Sequence, residues 1–164
     1  MSNNYSVIRE LSDIPVGDTS LRVLGQGISH PFTFASSGKA NSVLAQEGVS
    51  KINQSIHMIL STRLGDRMML PEYGSRLPEL VFEPLDDVLH SLLQFHTVEA
   101  LARWEKRIEI TGVVTIDDPE LRDQNQISIM IEYYIRKFHV KGSYVYPFVL
   151  GALPFTETAI YGGR

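Results

Sequence analysis

The sequence predicts an α+β fold with two main helices packed on a small, mainly antiparallel sheet and with extended N- and C-terminal arms. Three observations support this prediction. Apolar residues recur at three- and four-residue spacing in two segments between residues 42 and 104, and they alternate with polar residues after Arg107. Glycine and proline interrupt both ends of the chain. A chain of 164 residues with 43% hydrophobic content can bury one core.

Three regions are expected from these patterns. Residues 1–40 form an N-terminal arm with one short strand near residues 21–24, because glycines and prolines separate its apolar pieces. Residues 41–140 form the α+β domain, and residues 141–164 form a C-terminal extension. The extension is rich in strand-forming residues between Tyr144 and Phe155, and it fits an arm that pairs with a neighbouring subunit and an edge strand of its own sheet equally well.

The two helices are predicted over residues 42–64 and 86–104. Asn41 or Ser42 can cap the first helix, and Gly65 can adopt the left-handed conformation beyond its end. Asp86 or Asp87 can cap the second helix. Between the helices, four glycines and prolines exclude a continuous helix, while four apolar side chains are expected to hold this connector on the core. These side chains are Leu77, Leu80, Val81 and Phe82.

Two strands follow the second helix. In the first, the residues expected on a single apolar face are Ile108, Ile110, Gly112, Val114 and Ile116. In the second, they are Ile127, Ile129, Ile131, Tyr133 and Ile135. The charged stretch 117–125 joins them as a long loop, which favours an antiparallel pair.

Composition argues against several classes of partner. The formal net charge of −4 gives no field that would attract nucleic acid or anionic lipid, so neither is expected as a partner. The sequence contains no cysteine, and no stretch approaches the ~20 apolar residues of a membrane span. The first residues lack the features of a signal peptide. We therefore expect a protein that is made and first used in the cytoplasm.

The motifs that would indicate an enzyme are incomplete. The segment Ser37–Ala40 lacks the leading glycine and the metal-binding hydroxyl of a phosphate-binding loop. The five histidines are scattered, and no two have the helical spacing of metal ligands, so no metal and no cofactor are expected. Glycoside hydrolysis needs two carboxyl groups across a cleft. The available candidates are Glu72, Glu79, Glu83, Glu99 and Glu105.

An ordered set of segments resembles a known family. The run from Arg63 to Arg76 contains Asp66-Arg67-Met68 and Tyr73-Gly74, and Trp104-Glu105-Lys106-Arg107 stands where the second helix gives way to a strand. Together they resemble the sheath-initiator family of contractile-tail baseplates. That family comprises the lysozyme-like wedge proteins of contractile phages and their counterparts in type VI secretion and related injection particles. The resemblance covers roughly residues 27–137.

The resemblance implies three sets of site residues. Trp104, Glu105, Lys106 and Arg107 would dock on wedge proteins, although Lys106 replaces the proline of the family's Glu-Pro-Arg triplet. From residue types alone, a local salt bridge beside a core tryptophan is the favoured explanation of this corner, and only the ordered family resemblance favours docking over it. The structural connector would contain Gly65, Arg67, Glu72, Gly74 and Arg76, with the arginines bridging to Glu72 or Glu83. The sheath-pairing edge would contain Ile127, Ile129, Ile131, Tyr133, Tyr144 and Tyr146.

The function implied by the resemblance is structural and not enzymatic. The protein would sit in the baseplate of a virion tail or injection particle assembled in the bacterial cytoplasm, and would initiate sheath polymerisation by strand addition. Its partners would be wedge proteins and the tail sheath protein, with inner tube proteins as a less direct expectation, in about six copies per particle. Two alternatives stay open: a lysozyme-like peptidoglycan hydrolase of the baseplate, and a free regulatory binding protein of the same fold.

Overall fold

The computed structural model describes residues 9–10, 24–30, 34–35, 42–43, 45–118, 121 and 123–151. The strands are β1 (Arg9–Glu10), β2 (Gln26–Ile28), β3 (Phe34–Ala35), β4 (Ser42–Val43), β5 (Ala45–Glu47), β6 (Ile108–Ile116), β7 (Gln126–Ile135) and β8 (Val140–Val149). The helices are α1 (Gly48–Ser61), a 3-10 helix (Leu77–Phe82) and α2 (Asp87–Trp104). The predicted α+β class is confirmed. Within the described ranges, no helix is long and apolar enough to cross a bilayer.

Helix α1 begins later than the sequence pattern suggested. The predicted start near residue 42 is wrong, because Ser42 lies in β4 and the chain then continues through β5 up to Glu47. Gly48 has a φ of +67°, which turns the backbone from the strand into the helix. The helix ends at Ser61, and Thr62 donates from its backbone N–H to Met58 O at 3.2 Å. Apolar spacing could not separate a short strand from a first helical turn.

Helix α2 and its cap agree with the prediction. The helix runs from Asp87 to Trp104, and Asp86 Oδ1 accepts a hydrogen bond of 2.8 Å from the backbone N–H of Leu89. This bond satisfies one of the donors left unpaired in the first turn of a helix. Asp86, the first of the two predicted candidates, is therefore the capping residue.

The main sheet has the strand order β1-β8-β7-β6. Strand β7 pairs antiparallel with β6 on one side and with β8 along its full length on the other. Strand β1 adds a parallel pair opposite residues 140 and 141 only. Residues 141–149 are therefore an integral part of the sheet, and the expected domain boundary after residue 140 falls inside β8. The extension beyond residue 151 lies outside the described residues.

A bulge in β6 changes which side chains face the helices. The register with β7 shifts between Ile110 and Gly112, so that Val113 and Thr115 take the core side opposite Ile131 and Ile129. The expected single apolar face from Ile108 to Ile116 is therefore wrong. Val114 and Ile116 are 48% and 40% exposed on the other face of the sheet. An extra residue in a strand inverts the alternation beyond it, and nothing in the apolar pattern marked its position.

The core lies between the helices and one face of the sheet. It consists of side chains from α1, α2, the connector and the inward faces of β6, β7 and β8, together with Leu24. Leu77 and Val81 hold the connector on this core as predicted, whereas Phe82 is 77% exposed. The N-terminal segment contributes β1, β2 and β3, more than the one short strand that was expected; residues 21–23 of that strand lie outside the described ranges.

One buried polar side chain of α2, that of Thr97, has a hydroxyl without a hydrogen-bond partner among the described residues. Thr97 is fully buried. A buried hydroxyl without a partner costs about 1–3 kcal/mol of desolvation. We therefore expect Thr97→Val, which keeps the shape, to raise the free energy of unfolding by about 1 kcal/mol, measured by urea denaturation.

A matched control is available on the strand that α2 covers. Thr115 Oγ1 accepts a hydrogen bond of 3.3 Å from Gln94 Nε2 and lies 3.0 Å from His90 Nδ1. Thr115→Val removes a hydroxyl that has partners, so it should lower the free energy of unfolding. If both substitutions destabilise the protein to the same extent, the assignment of Thr97 as an unsatisfied group is incorrect.

Candidate docking site

The corner between α2 and β6 is built around a buried carboxylate. The backbone N–H of Glu105 donates to Leu101 O at 2.9 Å, and the chain then leaves the helical conformation. The Glu105 side chain is only 3% exposed. Arg107 donates to it twice, from Nε to Oε1 at 2.7 Å and from Nη2 to Oε2 at 2.5 Å. This is the planar, two-point pairing for which arginine is suited.

The same pair connects distant parts of the chain. Arg107 Nη1 donates to the backbone oxygen of Leu24 at 2.8 Å, which fixes the N-terminal segment to the corner. The Ser55 side chain of α1 also interacts with the Glu105 carboxylate. Sequence analysis identified Glu105 and Arg107 but not Ser55 or Leu24. No local sequence signal marks a contact across 50 or more residues.

Charge pairing sets the protonation state of Glu105. Burial alone would raise the pKa of its carboxyl group, but the hydrogen bonds from Arg107 and Ser55 and the charge of Arg107 outweigh burial and lower the pKa. In return, the bond to Glu105 raises the pKa of Arg107. Glu105 is therefore an ionised, internally satisfied group. Its carboxylate lies in the interior, whereas a group that contacts a partner directly would lie on the surface.

Lys106 stabilises the end of α2 by a side-chain hydrogen bond, which the proline of the resembled family could not form. Its Nζ donates to the backbone oxygen of Ala102 at 2.6 Å, which satisfies one of the last carbonyls of α2 and places a positive charge at the negative end of the helix. This contact stabilises the end of α2 at the position where the resembled family has a proline. Lys106 is exposed, so its charge also faces solvent.

Trp104 joins the corner to the connector. Its ring lies 5.2 Å from that of Tyr73, at an interplanar angle of 58°. The Arg67 guanidinium lies 3.9 Å from the centroid of the Tyr73 ring, in cation–π geometry. Glu72 forms an ion pair with Arg103 of α2. The predicted bridges from Arg67 and Arg76 to Glu72 or Glu83 are not found among the described residues. Arg67 contacts the Tyr73 ring instead, and Glu72 pairs with Arg103.

The connector is also hydrogen-bonded to the end of α1. The backbone N–H of Ser75 donates to Thr62 O at 2.9 Å, and its hydroxyl donates to Leu60 O at 2.8 Å. Gly74 has a φ of +120°, and a Cβ on it would overlap the carbonyl oxygen of Thr62. Gly65 has a φ of +90° with open space around it. Both glycines thus have positive φ angles, as predicted for Gly65.

The predicted sheath-pairing edge is wrong for β7. Ile127, Ile129, Ile131 and Tyr133 lie on a central strand that is paired on both sides, and their side chains are at most 1% exposed. The alternating apolar pattern that suggested a strand was that of the most buried strand. Sequence could not give the strand order, which β8 fixes by returning alongside β7.

Tyr144 and Tyr146 lie on β8, whose outer edge pairs with a described strand over two residues only. Among the described residues, only residues 9 and 10 pair with this edge, opposite residues 140 and 141. From residue 142 to residue 149 the edge faces no described strand. Pro147, which lacks a backbone N–H, is compatible with an edge position and unusual in a central strand. The two tyrosine side chains themselves point to the core, where the Tyr144 hydroxyl lies 3.2 Å from His57 Nδ1.

Three of the five carboxylates considered for hydrolysis lie within 4.0 Å of an arginine. A glycosidase general acid needs a raised pKa, whereas the pKa of buried Glu105 is lowered. Glu72 is exposed and engaged by Arg103, and Glu79 lies 3.9 Å from Arg63. In the part of the chain that the structure describes, no group of three or more histidines and carboxylates could hold a metal ion.

Comparison with known proteins identifies the family. The sequence profile of the family described as "Baseplate wedge protein gp25" matches residues 46–139, more than half of the chain. The chain belongs to the gp25 baseplate wedge family. The matched region contains α1, the connector, α2, the corner and the β6–β7 pair, so the corner and the connector are parts of the family domain.

Individual relatives of this gp25-family chain come from several particles. Baseplate protein W of Escherichia phage P2 is 34% identical over 64 residues, which is 39% of this chain and 56% of that protein. The chain thus matches little more than half the length of this relative. A solved structure from Geobacter sulfurreducens, described as a candidate tail lysozyme, has a TM-score of 0.58 at 33% identity, covering 63% of this chain and 92% of the other.

A third relative was solved inside an assembled particle. A chain in the cryo-EM structure of the anti-feeding prophage baseplate, determined with sixfold symmetry, has a TM-score of 0.62 at 25% identity. The match covers 71% of this chain and 90% of that chain. The gp25-family fold is therefore shared between this chain and a component of a baseplate.

Proposed function

We propose that this chain is a structural component of a contractile baseplate that docks on wedge proteins and initiates the sheath by strand addition. The observation that carries the proposal is the edge of β8, which faces no described strand from residue 142 to residue 149. Outward-facing backbone N–H and C=O groups along this edge can pair with an extended segment of a sheath subunit, and the hydrogen bonds give direction and affinity without a ligand pocket. Of the two segments that the sequence suggested, the proposed edge is therefore the one around Tyr144 and Tyr146 in β8, and not the one in β7.

Docking on the wedge proteins is assigned to the exposed parts of the corner. The ion pair between Glu105 and Arg107 fixes the shape of the corner from within. The outer surface of the corner consists of Trp104, Lys106 and part of the Arg107 side chain, which is 32% exposed. A rigid corner lowers the entropy lost on binding. In a particle with the sixfold symmetry of the anti-feeding prophage baseplate, six copies would surround the inner tube.

The strand-addition step is tested by hydrogen–deuterium exchange on the purified chain with and without the sheath protein of the same particle. We expect amides within residues 142–149 to exchange at least about tenfold more slowly in the complex, because new inter-strand hydrogen bonds protect them. Amides of β6 serve as the matched control, since its outer edge also faces no described strand.

The alternative outcomes are distinct. Protection confined to residues 108–116 would move the pairing edge to β6. Complex formation without new protection on either edge would contradict strand addition as the mode of contact.

We infer that the protein is not an enzyme, since its buried carboxylate is held ionised by Arg107 and the remaining candidates are exposed or paired with arginine. The description of the Geobacter sulfurreducens relative as a candidate tail lysozyme applies to that protein.

A further inference from the structure

A surface cavity of about 380 Å³ lies beside the corner, between β2, α1 and the connector. Residues of all three elements line it, including Lys51, Gln54 and Ser55 from α1 and Arg67 and Tyr73 from the connector. The cavity volume is that of a small ligand site and is sufficient for one or two side chains.

The cavity carries positive charge that no lining residue neutralises. Lys51 Nζ donates to two neutral acceptors, Gln54 Oε1 at 2.9 Å and Ile28 O at 3.3 Å. Arg67 contacts the face of the Tyr73 ring. None of the described residues that line the cavity is an aspartate or a glutamate. The nearest buried carboxylate, that of Glu105 behind Ser55, is already neutralised by Arg107.

Lys51 and Arg67 differ from other cationic side chains of this chain in their ion pairing. Arg63, Arg103 and Arg107 each lie within 4.0 Å of a glutamate side chain of the same chain. Lys51 and Arg67 have no such ion pair among the described residues, although they converge on one concave surface. Two cations held near each other without a counter-ion repel, and an anionic ligand would relieve that repulsion.

The position of Lys51 is fixed by the strand beneath it. A Cβ on Gly27 would lie 2.7 Å from Lys51 Cε and 2.8 Å from Nζ, so the ammonium group rests directly on the glycine of β2. Gln54 then binds the ammonium from one side, and its Nε2 donates to the same backbone oxygen of Ile28 at 3.2 Å. Lys51 is thus held over the cavity by contacts on the strand and on the helix.

We propose that this cavity binds a carboxylate side chain from an acidic segment of a partner protein. Lys51 and Arg67 would provide charge-assisted hydrogen bonds to the carboxylate. Met68 and Met69, each 97% exposed next to Arg67, would contact apolar residues beside it. An extended polyanion such as nucleic acid is disfavoured by the net charge of −4. Only the identity of the natural partner, a neighbouring baseplate protein, rests on the proposed function.

The test uses the full chain and a fluorescein-labelled peptide of four glutamates flanked by glycines, with the matching glutamine peptide as a control. Fluorescence anisotropy at low salt should show binding of the glutamate peptide only. Lys51→Gln and Arg67→Gln should each weaken binding about tenfold, the effect of losing one charge-assisted hydrogen bond. Lys137→Gln removes the same charge from an exposed turn between β7 and β8 and should leave the affinity unchanged within about twofold.

Circular dichroism and denaturation of each variant establish that the fold is intact, and NMR shifts of backbone amides locate the peptide. Shifts centred on residues 28–30, 51–58 and 67–73 support the proposal. An equal loss of affinity in all three variants, shifts elsewhere, or no binding at millimolar peptide would overturn it. None of these outcomes depends on the sheath protein, so failure here is distinguishable from failure of strand addition at β8.

Discussion

Replacing Gly74 with alanine is expected to lower the free energy of unfolding by about 3 kcal/mol or more. Two costs add at this position. A φ of +120° is unfavourable for any residue with a Cβ, and the added Cβ would overlap the carbonyl oxygen of Thr62 and lie 2.9 Å from its carbonyl carbon. That oxygen accepts the hydrogen bond from Ser75 that holds the connector on α1, so relief of the overlap would break the bond. Urea denaturation of the purified variant measures the effect.

Gly65→Ala is the matched control for this prediction. Gly65 also has a positive φ, of +90°, but no atom lies within 4 Å of the site of a Cβ. Only the conformational cost of about 1–2 kcal/mol applies there. Equal losses for the two variants would show that contact with Thr62 is unimportant. A loss at Gly65 that exceeds the loss at Gly74 would contradict the connector geometry.

Replacing Arg107 with methionine is expected to destabilise the protein by about 3 kcal/mol at pH 7, because it leaves the buried carboxylate of Glu105 without its counter-ion. This lies at the lower end of the range for buried pairs, since the Arg107 side chain is 32% exposed. The double variant Glu105→Gln with Arg107→Met should recover part of the loss, because no buried charge remains. A double-variant stability equal to that of Arg107→Met would argue against this cause.

The difference in stability between the native chain and the Arg107→Met variant is expected to depend on pH. With Arg107 present, the pKa of Glu105 is lowered, so its stabilising contribution is present above the ordinary pKa of about 4.5 and is lost as the pH falls through the lowered value. Without Arg107, burial dominates and raises the pKa, so the folded variant takes up a proton more readily than the unfolded chain. The stability gap between the two proteins should therefore narrow as the pH falls from 7 towards 4.5. A stability difference that grows as the pH falls would contradict the assignment of the loss to the buried charge of Glu105.

These two predictions concern residues that the sequence already singled out, but in different roles. Gly74 was identified by family resemblance as a connector residue, and the structure adds the positive φ and the close approach of Thr62 that make substitution severe. Glu105 and Arg107 were identified by family resemblance as docking groups, whereas the structure places the carboxylate in the interior. Charged residue types are compatible with a surface site and with a buried pair, and only burial separates these alternatives.

The elements themselves were largely predictable. The bounds of α2, β6 and β7 follow from apolar period and from a capping aspartate, which are properties of neighbouring residues along the chain. The start of α1 was not predictable in the same way, because the helical spacing of Leu44, Val49 and Ile52 runs across β5 and the change of direction occurs at a single glycine. The inverted alternation after Ile110 depends on a bulge, which is a property of strand pairing.

By itself, the sequence determined the α+β class, the family, the cap of α2 and the turn at Gly65, because periodicity, caps and left-handed glycines act over a few residues. The tertiary structure decided which strand is central and which edge of the described sheet lacks a partner strand, since strand order depends on pairing between residues that are far apart in the chain. It also decided that Glu105 faces Ser55 and Arg107 instead of solvent, and that Lys51 and Arg67 share a cavity without a carboxylate. These are contacts across elements, which no local pattern encodes.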